Sequence, residues 1–113
     1  MSLTFQFDEN LREVASDINL LRLEVESLKN QLTSTSDSAK KISLLGQLGV
    51  YLRIDGKLNE AERSLNLALE IVIKEKLGLK FEVQQKIRLA HVYQWQKNYE
   101  LSNALFYENF RFM

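Results

Sequence analysis

Apolar residues recur along most of this chain at intervals of three and four. In the first third of the sequence they fall at Leu11, Val14, Ile18, Leu21, Val25, Leu28 and Leu32. This alternation places all of them on one side of a helix and is the pattern of a heptad repeat. It predicts a long helix within residues 5–34, with Asp8 able to cap its first turn.

Two interpretations of this heptad face are open. In the first, it packs on the rest of the domain, which a run of only about three to four heptads favours. In the second, the residues Leu21 and Leu28 pair with a second copy of the chain in a coiled coil. The off-heptad residues Leu20 and Leu23 agree with burial on more than one side, so we prefer the first interpretation.

Polar or glycine-containing turns divide the remaining sequence into four further predicted helices. Their expected bounds are about 38–55, 57–77, 80–96 and 99–113. Gly56 and Gly78 are expected to end the first two of these, because glycine enters the left-handed conformation without steric cost. Asn98 is expected to do the same in the Lys97-Asn98 turn. With no proline and four glycines, the helical spacing predicts an all-α fold.

Residues 42–69 align without a gap on residues 83–110, at a period of 41 residues. Only Leu48 and Leu89 are identical, but small residues align with small ones and large with large. The main pairs are Gly49 with Ala90, Leu52 with Tyr93, Leu58 with Tyr99, Ala61 with Ser102, Leu65 with Phe106 and Leu69 with Phe110. Small residues let helix backbones approach while large ones fill the flanking space. The alignment therefore predicts two stacked helical hairpins, residues 38–78 and 79–113.

The first block resembles a tetratricopeptide repeat through its Leu45-x2-Leu48-Gly49-x2-Leu52 run, then Gly56, then Ala61-x3-Leu65-x2-Ala68. The second block matches less fully, with Lys86 in place of a large residue and Asn109 in place of a small one. The period exceeds the usual one of about 34 residues by close to two helical turns. It is similar to the longer repeats of kinesin light chain and bacterial regulators. The resemblance implies an α-α superhelix, a solenoid of about five antiparallel helices forming one compact domain.

Composition narrows the classes of function. Fifteen basic and fifteen acidic residues balance to zero net charge, which disfavours nucleic-acid binding. The sequence has no cysteine, no apolar run of the roughly 20 residues that span a membrane, and no secretory signal pattern. We therefore expect a cytoplasmic protein with no membrane partner. His91 is the single histidine, and no motif surrounds it, so we predict no catalytic site, metal site or cofactor.

Binding is the function that the resemblance implies. In tetratricopeptide proteins the first helix of each pair lines a concave groove that holds a peptide. The matching positions here are Ser43, Gly46, Val50, Arg53, Gln84, Ile87, Arg88, His91, Gln94 and Trp95. Arg53, Arg88 and Trp95 are the strongest candidates, because arginine and tryptophan are enriched at binding hot spots. Alternatively, the two arginines are simply solvated, Trp95 packs on the inter-helix turn and His91 is a half-buried spacer.

The last predicted helix is rich in large apolar residues. Its predicted interface residues are Leu105, Tyr107, Phe110 and Phe112. Such a patch indicates an interface, either with a second copy or with the next helix of a longer solenoid.

The leading hypothesis is a non-catalytic module that binds a protein or peptide. One alternative is a regulatory or sensory segment of a larger bacterial signalling protein. Another is a structural homodimer formed through the first or the last helix.

Overall fold

The computed structural model of the chain describes residues 17–110, and the side chains of residues 17–108. Within this range it contains five α-helices and no strand, which confirms the all-α prediction. The helices are α1 Ile18–Thr33, α2 Ser38–Ile54, α3 Leu58–Lys74, α4 Leu79–Trp95 and α5 Tyr99–Phe110. The predicted helix start at Asp8 and the predicted interface residue Phe112 lie outside the described residues. The predicted continuous helix from about Asp8 to Leu32 is wrong, because Asp17 has an extended backbone, with φ −135°, and is the N-cap at which α1 begins.

Each helix packs on the next one in sequence, and α2 also contacts α4. In the described part of the chain no other helices are in contact. Because short turns join neighbours that pack together, consecutive helices run antiparallel and α2 and α4 run parallel. The pairs α2–α3 and α4–α5 are therefore helical hairpins, stacked so that their first helices are neighbours.

The helices α2, α3 and α4 end in the same hydrogen-bond pattern. The amides of Lys57, Leu77 and Asn98 donate to carbonyls five residues earlier, at 2.9, 3.1 and 2.8 Å respectively. The residue before each of these amides has a positive φ: 80° at Gly56, 52° at Lys76 and 62° at Lys97. This is the Schellman motif, in which the left-handed residue directly follows the C-cap.

Two predictions of left-handed turn residues, Gly78 and Asn98, are wrong, because in this motif the left-handed residue directly follows the C-cap. The helix α3 ends at Lys74, and Lys76 rather than Gly78 is its left-handed residue. Gly78, with φ 105°, is instead the N-cap of α4. In the next turn Lys97 rather than Asn98 is left-handed, while the Asn98 side chain accepts a hydrogen bond from the Leu101 amide at 3.4 Å.

Small residues lie at the contacts between the two helices of each hairpin. In the first hairpin Gly49 is buried, and a methyl group added to it would lie 2.6 Å from the Leu65 side chain. In the second hairpin the Ser102 hydroxyl donates to the Ala90 carbonyl at 2.9 Å. Both Ala90 and Ser102 are buried. The small side chains thus allow close approach of the paired helices.

The heptad residues of α1 pack on the same chain. Leu21, Val25 and Leu28 belong to the buried core, so a coiled coil through Leu21 and Leu28 would require that core to open. The first interpretation of this face is therefore the one that the fold supports. The expectation of burial on a second side is wrong, since Leu20 and Leu23 are exposed.

Candidate functional site

The N-terminal halves of α2 and α4 enclose a cleft of about 600 Å³. We call it the α2–α4 cleft. Asp37 precedes α2 at one end of the cleft, and the other lining residues are Ala39, Lys40, Ile42, Ser43, Leu44 and Gln47 of α2, and Lys80, Phe81, Gln84 and Arg88 of α4. Three of these residues, Ser43, Gln84 and Arg88, were predicted from the sequence to line a groove.

Lys40, Lys80 and Phe81 are lining residues that sequence reasoning missed. The sequence signal that could have identified the lining of α4 is residue spacing. Lys80, Gln84 and Arg88 follow one another at intervals of four residues and so share one face of α4. The predicted groove begins at Gln84 and therefore does not include the first turn of α4. Arg88 is partly buried, whereas both lysines are exposed.

Gly46 allows the two helices to approach at the base of the cleft. The Arg88 guanidinium occupies the space that a methyl group on Gly46 would need. The Gln85 side-chain oxygen would lie 2.8 Å from the same methyl group. Gly46 is therefore a buried spacer between the helices and not the exposed groove residue that was predicted.

Val50 also departs from the prediction. Only 7% of its surface is exposed, so it contributes to the core rather than to a binding surface. The reason is that α2 lies between α1, α3 and α4 and is covered from three sides.

Gln85 is a buried polar residue that the sequence did not single out. It is 1% exposed, and neither its amide nitrogen nor its oxygen has a hydrogen-bond partner. Leaving a buried polar group unpaired costs roughly 1–3 kcal/mol. The only sequence signal was that Gln85 aligns with the apolar Leu44 of the first block.

Arg53 and Trp95 form the second feature of this surface. The Arg53 guanidinium carbon lies 5.1 Å from the centre of the Trp95 ring, which is a cation–π contact between α2 and α4. Burial lowers the pKa of Arg53, and half of the Trp95 surface remains exposed, at 50%. Trp95 therefore contacts the neighbouring first helix, and Arg53 is not simply solvated.

The two features lie on one side of the helix pair. Arg88 and Trp95 are seven residues apart in sequence, as are Gly46 and Arg53, which corresponds to about two helical turns or ~10 Å. The contact of Arg88 with Gly46 and the contact of Arg53 with Trp95 thus repeat along the same interface. The Arg53–Trp95 contact therefore lies beyond the cleft lining, toward the C-terminal ends of α2 and α4.

The other predicted groove residues have mixed surroundings. The His91 ring meets Phe106 of α5 edge to face, with centres 5.3 Å apart, so one side of His91 is occupied by the last helix. Ile87 is partly buried and Gln94 is exposed.

The residues of the predicted interface on α5 also differ in how far they are buried. Leu105 is partly buried against the core, and its role in an interface stays a prediction. Tyr107 is 73% exposed. The side chain of Phe110 lies outside the described residues.

The described residues contain no group of three or more histidine, aspartate or glutamate side chains arranged to hold a metal ion. Across residues 17–110, none of the helices has the length and apolar content needed to cross a membrane.

Comparison of the chain with models of protein families, with curated proteins and with solved structures gave no match. The tetratricopeptide resemblance therefore stays a prediction, and the α2–α4 surface has to be interpreted from its own geometry.

Proposed function

We propose that this chain is a non-catalytic interaction module that holds a peptide or an extended protein segment along α2 and α4. The observation that carries the proposal is the α2–α4 cleft. Its volume of about 600 Å³ falls within the roughly 300–1,000 Å³ of typical ligand sites. The sequence resemblance of residues 42–110 to tetratricopeptide repeats supports the same function.

An elongated ligand fits this surface better than a compact one. Lys40 and Arg53 are thirteen residues apart on α2, which corresponds to ~20 Å along the helix axis. A peptide of about six extended residues covers that distance. The exposed Trp95 ring with Arg53 over it provides the type of flat, rigid contact that carries much of the energy in protein interfaces.

Three sequence features favour a cytoplasmic location for the module, namely the lack of cysteine, of a membrane-spanning apolar run and of a secretory signal pattern. A cysteine-free chain does not depend on disulfides for stability. We therefore propose that the module meets its partner in the cytoplasm.

The test is a selection of random displayed peptides on the intact chain, followed by fluorescence anisotropy with the enriched peptides. We expect a variant carrying Arg53→Ala, Arg88→Ala and Trp95→Ala to bind them at least about tenfold more weakly, because truncating a hot-spot residue commonly costs more than ~1 kcal/mol. The measurement is the dissociation constant, with circular dichroism to check that the variant stays helical.

A matched control carries Arg63→Ala, Lys74→Ala and Tyr107→Ala, which replace exposed side chains outside the α2–α4 surface. The control should bind the peptides as the original chain does. Enriched peptides that bind both triple variants equally well would refute the groove, and so would a selection that enriches no peptide.

A further inference from the structure

We propose that the segment held in the α2–α4 cleft is acidic and carries an apolar side chain. Its carboxylates would lie at Lys40, Lys80 and Arg88, and its apolar side chain against Phe81. This inference rests on the proposed function and specifies the chemistry of the partner.

The first observation is an excess of positive charge. Two lysines and one arginine line the cleft, and Asp37 is the one acidic residue among the lining side chains of the described chain. Lys40 and Lys80 have no carboxylate within salt-bridge distance among the described residues. The chain as a whole has zero net charge, so this local excess is a feature of the cleft and favours an anionic partner.

The second observation concerns the helix ends. The parallel helices α2 and α4 both begin beside the cleft. The Asp37 carboxylate makes no hydrogen bond to the first turn of α2, and the N-cap of α4 is Gly78, which has no side chain. By contrast, the N-cap of α1 is closed by Asp17, whose carboxylate accepts from the Asn19 amide at 2.8 Å. The first-turn amides and the two aligned helix dipoles add positive potential on the side of the lysines, and the carboxylates of Asp37 and Glu82 at the same helix starts offset part of it.

The third observation is the apolar part of the lining. Phe81 is partly buried, and the buried residues Ile42 and Leu44 also line the cleft. A phosphate or a bare carboxylate would leave this part in contact with water. A peptide with acidic residues flanking a leucine-sized side chain satisfies the charged rim and the apolar base together.

The neutral polar side chains between the charged rim and the apolar base of the cleft can form hydrogen bonds with a peptide backbone. Ser43 and Gln47 on α2 are already hydrogen-bonded to each other, at 3.1 Å, and Gln84 faces them from α4. Amide and hydroxyl groups can both donate to carbonyls and accept from amides. The two sides of the cleft can therefore hold the main chain while the lysines hold its side chains.

The experiment uses a short fluorescein-labelled peptide of glutamates with two leucines, and the intact chain. Its matched peptides replace every glutamate by glutamine, or every leucine by serine. The chain variant Lys40→Glu/Lys80→Glu is compared with Arg63→Glu/Lys74→Glu, which changes the net charge equally at exposed positions away from the cleft. Glutamate near a helix N-terminus is electrostatically favourable, so the cleft variant is expected to remain folded, as circular dichroism would show.

We expect the cleft variant to bind the glutamate–leucine peptide about tenfold more weakly or worse, and the control variant to lose less than about threefold. Raising the salt concentration should weaken binding to the original chain. The glutamine peptide and the serine peptide should each bind at least about tenfold more weakly than the parent peptide.

Three results would overturn the inference. Equal binding of the glutamine peptide would exclude recognition of carboxylates. Equal binding of the serine peptide, or of single-stranded RNA, would indicate a general anion surface instead of a peptide site. Displayed peptides that require Arg53, Arg88 and Trp95 but are not acidic would refute this inference alone and leave the proposed function standing.

Discussion

The two helical hairpins share one spacing of small and large residues but differ in what covers them. The first hairpin, α2–α3, has α1 on one side and α4 on the other, whereas in the described chain the second hairpin contacts only the first. At equivalent positions Leu65 is 0% exposed and Phe106 is only partly buried. The same pattern is therefore fully buried in the middle of the stack and half-buried at its end.

The first helices of the two hairpins, α2 and α4, differ in the polarity of their aligned residues. Three buried apolar residues of α2, which are Leu44, Leu45 and Val50, align with Gln85, Lys86 and His91 of α4. Two of these polar residues have partners on α5. The Lys86 ammonium donates to Glu108 at 2.8 Å, and His91 meets Phe106. Polar residues are tolerated on α4 because its outer side is not enclosed by another layer, and Gln85 is the exception.

The largest expected effect tests the difference in burial directly. Leu65→Ala should cost about 2–5 kcal/mol, since it opens a cavity at the Gly49 contact. Phe106→Ala removes a larger side chain but should cost less than about 2 kcal/mol, because Phe106 is only partly buried and its site can be refilled by water. Urea unfolding followed by circular dichroism measures both. Equal losses would mean that the second hairpin is as well covered as the first.

The next largest effect is expected from Gln85→Leu, a substitution that makes the core of the second hairpin more like that of the first. Gln85→Leu installs the residue type found at the aligned position 44 and removes a buried amide without partners. The expected result is a gain of roughly 1–3 kcal/mol in the free energy of unfolding, measured by thermal and urea denaturation. The neighbouring substitution Gln84→Leu, at a partly exposed position, serves as the control and should change stability by less than about 0.5 kcal/mol. A loss of stability in Gln85→Leu would show that the amide is satisfied in solution.

The smallest effect concerns the turns within the two hairpins. Gly56 and Lys97 occupy aligned positions, and both have left-handed backbone conformations. Lys97→Gly should stabilise the chain by about 0.5–1 kcal/mol, because a side chain in this conformation costs roughly 1 kcal/mol or more. Gly56→Lys should destabilise by about 1 kcal/mol for the same reason. The midpoint of urea unfolding detects both shifts, and shifts of the same sign would contradict the equivalence of the two turns.

Much of the fold could be predicted from local pattern. The five helices follow from three-and-four spacing with polar or glycine turns. The bounds of α2, α3 and α4 agree with the predicted ones within a few residues, whereas α1 begins at Ile18 and not near Asp8. The turn residues were harder, because the identity of the left-handed residue depends on where the last helical hydrogen bond forms. Lys76 and Lys97 adopt that conformation in spite of their side chains. The preference of glycine and asparagine for it was correct at Gly56 but pointed to Gly78 and Asn98 in the other two turns.

The candidate site was predicted only in part. Arg53 contacts Trp95 and Arg88 contacts Gly46 across α2 and α4. That these residues line a binding groove, which the tetratricopeptide resemblance implies, stays a prediction. Lys40, Lys80 and Phe81 were missed, since their position at one cleft depends on the lateral contact of two helices that are not consecutive in sequence. Val50 and Gly46 were placed on the surface although neighbouring helices bury them.

The sequence by itself determined the helices, their order and the alternation of small and large residues at hairpin contacts, because these depend on the period of the α-helix and on the behaviour of side chains within a few turns. Only the tertiary structure decided that the α1 heptad face is internal, that Gln85 is buried without a partner and that three basic side chains share one cleft. Burial and charge proximity depend on residues about 40 positions away in the chain, and no local pattern encodes which helix covers which.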